Sequence, residues 1–559
     1  MANIPVMERA VTLQKDSLRI IGEALTKRIH SNGANTQDAF VQKQTQSVEL
    51  ARWLAESAAA EALLEYMKRG DITEFEKQLA VLFTAQSVTN LAKELRFAVP
   101  NYGLSSNKSL ASLFSIAKHM RVHTSHESWT QLGQQILMRD RDFSGSPGLD
   151  SMHADFRDMF SKFSDSVIAP MAEEIHRKDK IIPDEILQQL AELGVFGISI
   201  PEEYGGSYSD HLVMIIATEE LSRGSLGAGG SVLTRPEICA KALLAGGTEE
   251  QKKRWLPAIA SGEKMVCVAV TEPNTGSDVA NVAMTARRVD DGYLLNGEKT
   301  WATFAGRSEI ICLLARTGEP HSGHKGLSLF LVEKPYDKNH TDEYHFRHEQ
   351  PQGGVIEGRA IPTIGYRGMH SFSMSFENYL VPKENLIGEE GRGFYLQMQG
   401  FAGGRIQTAA RAIGVMEAAF RAAIEYAMSR TLFGRCLAEL SLTKYKLAQM
   451  AAKIQANRQL AYRVASSMDQ GGGTSEASLV KLMACRDSEW VTREAMQLHG
   501  GMGYSEEYPV SRYFVDARVL SIFEGAEEVL ALNVIARPYL QQFLKNQDHV
   551  EQRVSTELL

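Results

Sequence analysis

At 559 residues the chain is too long for one small domain and long enough for several packed layers. Its 44% hydrophobic and 23% charged residues are ordinary for a globular protein, and a formal net charge of −8 argues against a general nucleic-acid binder, which needs a basic face for phosphate. Cys239, Cys267, Cys312, Cys436 and Cys485 are odd in number and contain no CxxC pair, so neither a disulfide framework nor a metal site is expected. Met1-Ala2-Asn3-Ile4-Pro5 shows no basic stretch leading into an apolar core, and no apolar run nears the ~20 residues of a membrane span. The expected location is the cytoplasm, with no membrane or nucleic-acid partner.

Residues 1 to 140 read as helices from apolar recurrence at three and four residues. Between 47 and 69, Leu50, Trp53, Leu54, Ala58 and Leu64 fall near one face, and Gly70-Asp71 ends the run. A second helix follows through Phe75, Leu79, Leu82, Phe83 and Leu91. Ser144-Gly145-Ser146-Pro147-Gly148 reads as a linker. Helical texture resumes from 152 to 262, broken at Pro201 and Gly205-Gly206. From 264 to 382 short branched runs (265–270, 293–295, 310–314, 327–332) predict strands, with Asp291-Gly292 as a turn. Long helices return from 393 to 540, the Ala-rich run 409–427 being the clearest. The order helical, helical, β, helical predicts a mostly α, α+β multidomain chain in which helices clasp a small sheet.

Three segments carry candidate chemistry. In Val268-Ala269-Val270-Thr271-Glu272-Pro273-Asn274-Thr275-Gly276-Ser277-Asp278 a strand enters a turn fixed by Pro273. Its hydroxyls and backbone N–H groups suit a flavin edge and a pyrophosphate, or simply a structural turn. Asn296-Gly297-Glu298-Lys299-Thr300-Trp301-Ala302-Thr303 sets an indole two residues from a hydroxyl; Trp301 could stack on a planar ring or belong to the core. His499-Gly500-Gly501-Met502-Gly503-Tyr504 allows close backbone approach after a helix, and it is not the strand-borne GxGxxG of a dinucleotide fold. Downstream, Glu524 in Ile522-Phe523-Glu524-Gly525-Ala526 is either a base in a dry pocket or a solvated acid beside Glu527 and Glu528.

Taken together, Val270-Thr271-Glu272-Pro273, Gly276-Ser277-Asp278, Asn296-Gly297-Glu298-Lys299, Ser429-Arg430-Thr431-Leu432-Phe433-Gly434, Gly500-Gly501 and Phe523-Glu524-Gly525 resemble, in order and spacing, the acyl-CoA dehydrogenase family across residues 151–545. The resemblance implies that family's fold: a helical domain (146–263), a middle β domain (264–385) and a C-terminal helical bundle (386–545). A helical N-terminal extension (1–145) precedes these and a tail (546–559) follows.

It also implies FAD. Val268, Val270, Thr271, Gly276, Ser277, Trp301 and Thr303 match positions that touch the flavin of their own subunit. Arg430, Phe433, Gln497, Gly500 and Gly501 match positions that reach a neighbour's flavin, which implies a homo-oligomer, a dimer favoured over a tetramer. Glu524 matches the base that takes the α-proton while hydride leaves the β-carbon for flavin N5. The thioester carbonyl is expected on the Glu524 backbone N–H and a ribityl hydroxyl. Ser277, Arg405 and Gly525 match substrate-binding positions. The implied electron acceptor is an electron-transferring flavoprotein.

The chain departs from the family pattern at Ala526 and Glu528, where relatives carry Thr and Gln. It departs again at Ala402, where an acidic residue often holds pantetheine. Gly404 occupies the position of the alternative base on an earlier helix, so Glu524 is the matching candidate. Arg235, in Ser231-Val232-Leu233-Thr234-Arg235-Pro236-Glu237, falls where relatives line the acyl pocket. A buried guanidinium needs an anion, which points to an acyl group ending in a carboxylate, or to a salt bridge with Glu237; that the group is short and branched is implied only by the resemblance, through the helical N-terminal addition. Residues 50–69 and 73–95 loosely repeat the helix–turn–helix texture of 447–467 and 474–498, so the extension is expected to cover a face that relatives use to pair dimers, or to be a generic docking domain. A monocarboxylic acyl-CoA dehydrogenase, an acyl-CoA oxidase and a non-enzymatic DNA-associated relative are the competing readings.

Overall fold

The computed structural model describes residues 4–30, 36–104, 107–207, 209–336 and 344–544; the expected tail and Met1–Asn3 lie outside them. The first helices are α1 (Ile4–His30), α2 (Thr36–Val41), α3 (Gln44–Met67), α4 (Glu74–Ala98), α5 (Ala111–Met120) and α6 (His126–Ile136). There follow α7 (Ser151–Phe163), α8 (Ala169–Arg177), α9 (Asp184–Glu192), α10 (His211–Gly224), α11 (Thr234–Gly246) and α12 (Glu249–Ala260). The strands are β1 (Val266–Ala269), β2 (Thr285–Val289), β3 (Gly292–Thr303), β4 (Ile310–Arg316), β5 (Leu327–Glu333), β6 (His345–Glu349), β7 (Val355–Ile361), β8 (Ser371–Pro382) and β9 (Leu386–Ile387). Then come α13 (Gly393–Ser429), the short strands β10 (Thr431–Leu432) and β11 (Arg435–Cys436), α14 (Ser441–Asp469), α15 (Glu476–His499) and α16 (Val510–Leu520). The helical, helical, β, helical order expected from the sequence is the order observed.

By contacts the chain divides into two units: residues 151–415 with 468–470, and residues 1–150 with 416–467 and 471–559.

In the first of these, the sheet runs β6-β7-β8-β3-β2-β4-β5-β9, with β1 parallel to β4. Every residue of β4 is buried, because both of its faces are covered. Ile310, Cys312 and Leu314 pack with Leu243, Trp255, Leu256 and Ile259 of α11 and α12. The alternate residues Ile311, Leu313 and Ala315 pack with Leu295, Phe372, Met374 and Phe376 of β3 and β8. This period of two is why the segment reads as a continuous apolar run. Local signals set the helix starts: Asp210 accepts from Val213 N at the head of α10, and Thr248 with Gln251 forms a capping box on α12.

In the second unit the extension and the C-terminal helices share one core. α3 packs on α1, on α4, on α15 and on the π-helical turn Leu530–Ala536. Ala51, Leu482, Ala531 and Ile535 meet there. With neighbours on several sides α3 is not buried along one stripe. Ala51, Ala55, Ala59, Ala62 and Leu63 are buried, whereas Leu54, Ala58 and Leu64, expected on the core face, are half-buried. Gly133 of α6 sits directly against the Lys444 backbone, so the extension touches α14 at main-chain distance. Around the linker, Arg458 Nη2 pairs with Glu417 Oε2 at 3.2 Å, and Ser144 Oγ donates to the same oxygen at 2.7 Å. All three side chains are buried, so the segment expected as a linker is tied down rather than loose.

All five cysteines are free thiols, and four are buried. Among the described residues no helix is long and apolar enough to cross a membrane.

Candidate active site

β1 delivers Val268 and Val270 to the turn 271–278, and β3 runs beside it. Thr300 N donates to Thr271 O at 2.9 Å, and Lys299 Nζ donates to Val270 O at 2.9 Å. Lys299 is fully buried and also pairs with Glu272 at 2.8 Å, so two of the motifs singled out in the sequence are joined by one ion pair. The Glu272 carboxylate takes two further donors, Ala283 N at 2.7 Å and Met284 N at 2.9 Å. Burial pushes the Lys299 ammonium down to about 8 against the pull of Glu272. Held this way, the turn presents Pro273, Asn274, Gly276 and Ser277 to solvent.

The β3–β8 register breaks between Lys299 and Ala302, and Trp301 takes a left-handed backbone (φ 58°). A bulge of this kind re-aims a side chain. Here it leaves the Trp301 indole 55% exposed beside a turn of hydroxyls and N–H groups, and Thr303, two residues on, shares a hydrogen bond of 3.0 Å with Ser371. An exposed aromatic plane next to convergent polar groups fits an isoalloxazine ring better than it fits the core reading of Trp301.

Arg235 lies in the first turn of α11 and is 6% exposed. Its Nη1 donates to Ser231 O at 3.2 Å, and its guanidinium carbon lies 6.0 Å from the Tyr366 ring centroid. Glu237, the alternative anion for Arg235, pairs with Lys241. The preceding π-helical turn Leu226–Gly230 needs its glycines: a Cβ on Gly227 would strike the Arg367 carbonyl, and one on Gly230 would strike Ser222. Arg405 is half-buried on α13.

The other unit carries the remaining assigned residues. β10 and β11 form a hairpin whose tip, Phe433-Gly434, has φ of 52° and 75°. Positive φ at both central residues gives the twist of a two-residue hairpin loop. It leaves Phe433 92% exposed next to exposed Arg430. α15 ends at His499, with Gln497, Gly500 and Gly501 exposed at its C-terminus. Tyr426 stacks on His499 at 4.2 Å and Tyr508 packs edge-on to both, so the hairpin and the glycine loop spring from one aromatic clamp.

After α16, Glu524 is half-buried at φ 54° and is followed by Gly525 at φ 98°. Glu524, a non-glycine residue in the left-handed region, is the strained member of this turn, kept only when its surroundings over-determine it. The surroundings include Lys481, 1% exposed on α15, whose Nζ donates to Phe523 O at 2.7 Å and Gly525 O at 2.5 Å. Sequence reasoning missed Lys481, whose trace is a lysine among the small and apolar buried residues Ala477, Ser478, Ala484 and Cys485.

Family models described as acyl-CoA dehydrogenase N-terminal, middle and C-terminal domains match residues 150–263, 267–379 and 391–540. A (2S)-methylsuccinyl-CoA dehydrogenase of Cereibacter sphaeroides is 44% identical over 72% of this chain and 73% of its own length. The solved butyryl-CoA dehydrogenase of Megasphaera elsdenii is 34% identical with a TM-score of 0.64, covering 70% of this chain and 99% of that one. A glutaryl-coenzyme A dehydrogenase solved with glutaryl-CoA is 30% identical with a TM-score of 0.63, covering 69% of this chain and 95% of that one. The chain belongs to the acyl-CoA dehydrogenase family and is a FAD-dependent oxidoreductase.

Proposed function

We propose that the chain oxidises (2S)-methylsuccinyl-CoA to mesaconyl-CoA, a step of the ethylmalonyl-CoA pathway, with Glu524 as the base. The observation that carries the substrate is Arg235: a guanidinium buried in the first turn of α11, 6.0 Å from the Tyr366 ring centroid. A planar fork in that position suits a terminal carboxylate, which a saturated hydrocarbon tail cannot supply. The 44% identity to a methylsuccinyl-CoA dehydrogenase supports the same substrate.

In this reading Val268, Val270, Thr271, Gly276, Ser277, Trp301 and Thr303 hold FAD, which supplies the hydride acceptor when bound. Arg430, Phe433, Gln497, Gly500 and Gly501 reach a partner's FAD; the 92% exposure of Phe433 in a single chain supports this. Glu524 removes the α-proton, its backbone N–H polarises the thioester carbonyl, and Ser277, Arg405 and Gly525 orient the acyl-CoA. The acceptor is an electron-transferring flavoprotein, the location cytoplasmic, and the parts are those expected above: 1–145, 146–263, 264–385 and 386–545. A monocarboxylic acyl-CoA dehydrogenase or an acyl-CoA oxidase is the alternative.

Anaerobic mixing tests the substrate. (2S)-Methylsuccinyl-CoA is expected to bleach the flavin and butyryl-CoA is not. Arg235→Ala should then lower kcat/KM for the dicarboxylic substrate by about a hundredfold to a thousandfold, the cost of stripping an anion of its buried partner. Preferential bleaching by butyryl-CoA would refute the substrate and leave the family standing.

The extension's place on α15 and on the turn Leu530–Ala536 supports a dimer whose further pairing face is already covered by its own chain. Light scattering is expected to give twice 61.9 kDa. A tetramer at micromolar concentration would reject the idea.

A further inference from the structure

The strained turn at Glu524 has supports that come from two directions. From α15, the ammonium of Lys481 bridges the carbonyls on either side of Glu524, those of Phe523 and Gly525. A carbonyl pair facing one buried ammonium is a charge-assisted contact, stronger than a neutral one. Flipping either flanking peptide would remove an acceptor and leave a buried charge under-solvated. The backbone geometry of Glu524 is therefore coupled to a side chain 43 positions away.

The second support comes from the extension. Glu527 closes the turn with its N–H on Ser521 O at 3.0 Å. Its carboxylate is held between Arg486 of α15 and Arg52 of α3, the latter at 3.2 Å. Next to Arg52, Ala51 packs with Leu482, Ala531 and Ile535. Leu482 follows Lys481 on α15, and Ala531 and Ile535 lie in the turn that continues from Glu527. Leu530 in the same turn stands against Gly525, where a Cβ would come within 2.9 Å of it. The extension thus braces both α15 and the segment that follows the base.

We propose that Lys481 is a positioning residue for Glu524, and that the N-terminal extension is part of the same device through Arg52 and Glu527. Neither side chain touches substrate. Lys481 sets the φ of the turn and so the direction in which the Glu524 carboxylate leaves the backbone, while Arg52 and Ala51 keep α15 and Glu527 from drifting. The two contributions are unequal. Lys481 is buried and makes two hydrogen bonds, whereas Arg52 is 39% exposed and its ion pair is correspondingly weak. This inference rests on Glu524 being the base.

The test uses the full-length holoenzyme and substrate deuterated at the α-carbon. A displaced turn slows proton removal most, so Lys481→Met is expected to lower kcat by about a hundredfold and to raise KM by much less, the rise coming from the Glu524 N–H and Gly525 on the same turn. The α-deuterium isotope effect on flavin bleaching should rise as proton removal becomes slower, with flavin content unchanged. Should Lys481→Met fail to hold flavin, Lys481→Gln, which keeps one donor for a carbonyl, carries the same measurement. Arg52→Ala is expected to lower kcat by about twofold to fivefold with the same isotope signature, in keeping with a half-exposed ion pair. Wild-type kcat and isotope effect in the Lys481 variants would overturn the proposal, as would losses of kcat that only track lost flavin. An Arg52→Ala enzyme identical to wild type would overturn the extension's share. Bleaching at full rate by Glu524→Gln would instead remove the base assignment itself, a separate result from either.

Discussion

Glu524→Gln is expected to bind FAD and acyl-CoA as the parent does and to bleach its flavin at least about 10³-fold more slowly, within the range for loss of a general base. Glutamine keeps the length of the side chain and the backbone N–H that polarises the thioester, so the variant removes the proton acceptor and little else. The turn it occupies is held by Lys481 on the carbonyls of Phe523 and Gly525, contacts that do not involve the Glu524 side chain, so the left-handed backbone should survive. Gly404, the position expected to match an alternative base on an earlier helix, has no side chain that could substitute. Glu524→Asp, which withdraws the carboxylate by one methylene, should fall between the two. Stopped-flow absorbance with saturating substrate reads the rate directly. A Glu524→Gln enzyme within about tenfold of the parent would mean that another group accepts the proton.

The fold was legible because its signals are local and redundant. β4 and β5 read as apolar runs since both of their faces are covered, and the helices of the bundle carry long Ala-rich stretches. The order of blocks then left few architectures. Glu524 and the turn 270–278 were legible as motifs, yet locally the turn was evenly poised between site and structure, and Glu524 alone read rather as a solvated acid. The structure adds geometry no sequence window reports. Trp301 reads as either a stacking surface or a core residue, and the break in register between Lys299 and Ala302 shows that it leaves the ladder. Phe433 reads as an apolar residue before glycine, and only its left-handed backbone puts it at an exposed tip. The α3 face was misjudged because Leu54, Ala58 and Leu64 make a clean stripe, whereas the helix is enclosed by several neighbours and buries its alanines instead. Lys481 was missed for a related reason. Its partners are main-chain carbonyls of a distant turn, and backbone atoms leave no mark in the choice of residues.

Lys299→Met is expected to cost about 3–5 kcal/mol of stability, because it removes one half of a buried pair and leaves the other charged. Lys299 is fully buried and meets Glu272 at 2.8 Å; without it the carboxylate keeps only the N–H groups of Ala283 and Met284. The Val270 carbonyl would also lose its donor, which loosens the turn assigned to FAD, so weaker flavin retention should accompany the loss. Adding Glu272→Gln should recover part of it, since the unpaired charge is then gone while the amide oxygen still accepts from one of the two N–H groups. The pH dependence has a definite sign. Burial lowers Lys299 from 10.5 to about 8, so between these values the unfolded chain holds the proton more tightly than the folded one. Parent stability should therefore gain from this group as pH rises from about 8 toward 10.5, a slope absent from Lys299→Met. Urea denaturation at several pH values measures both effects. A single variant that loses less than about 1 kcal/mol, or that shows the same slope as the parent, would mean that the pair does not hold the two motifs together.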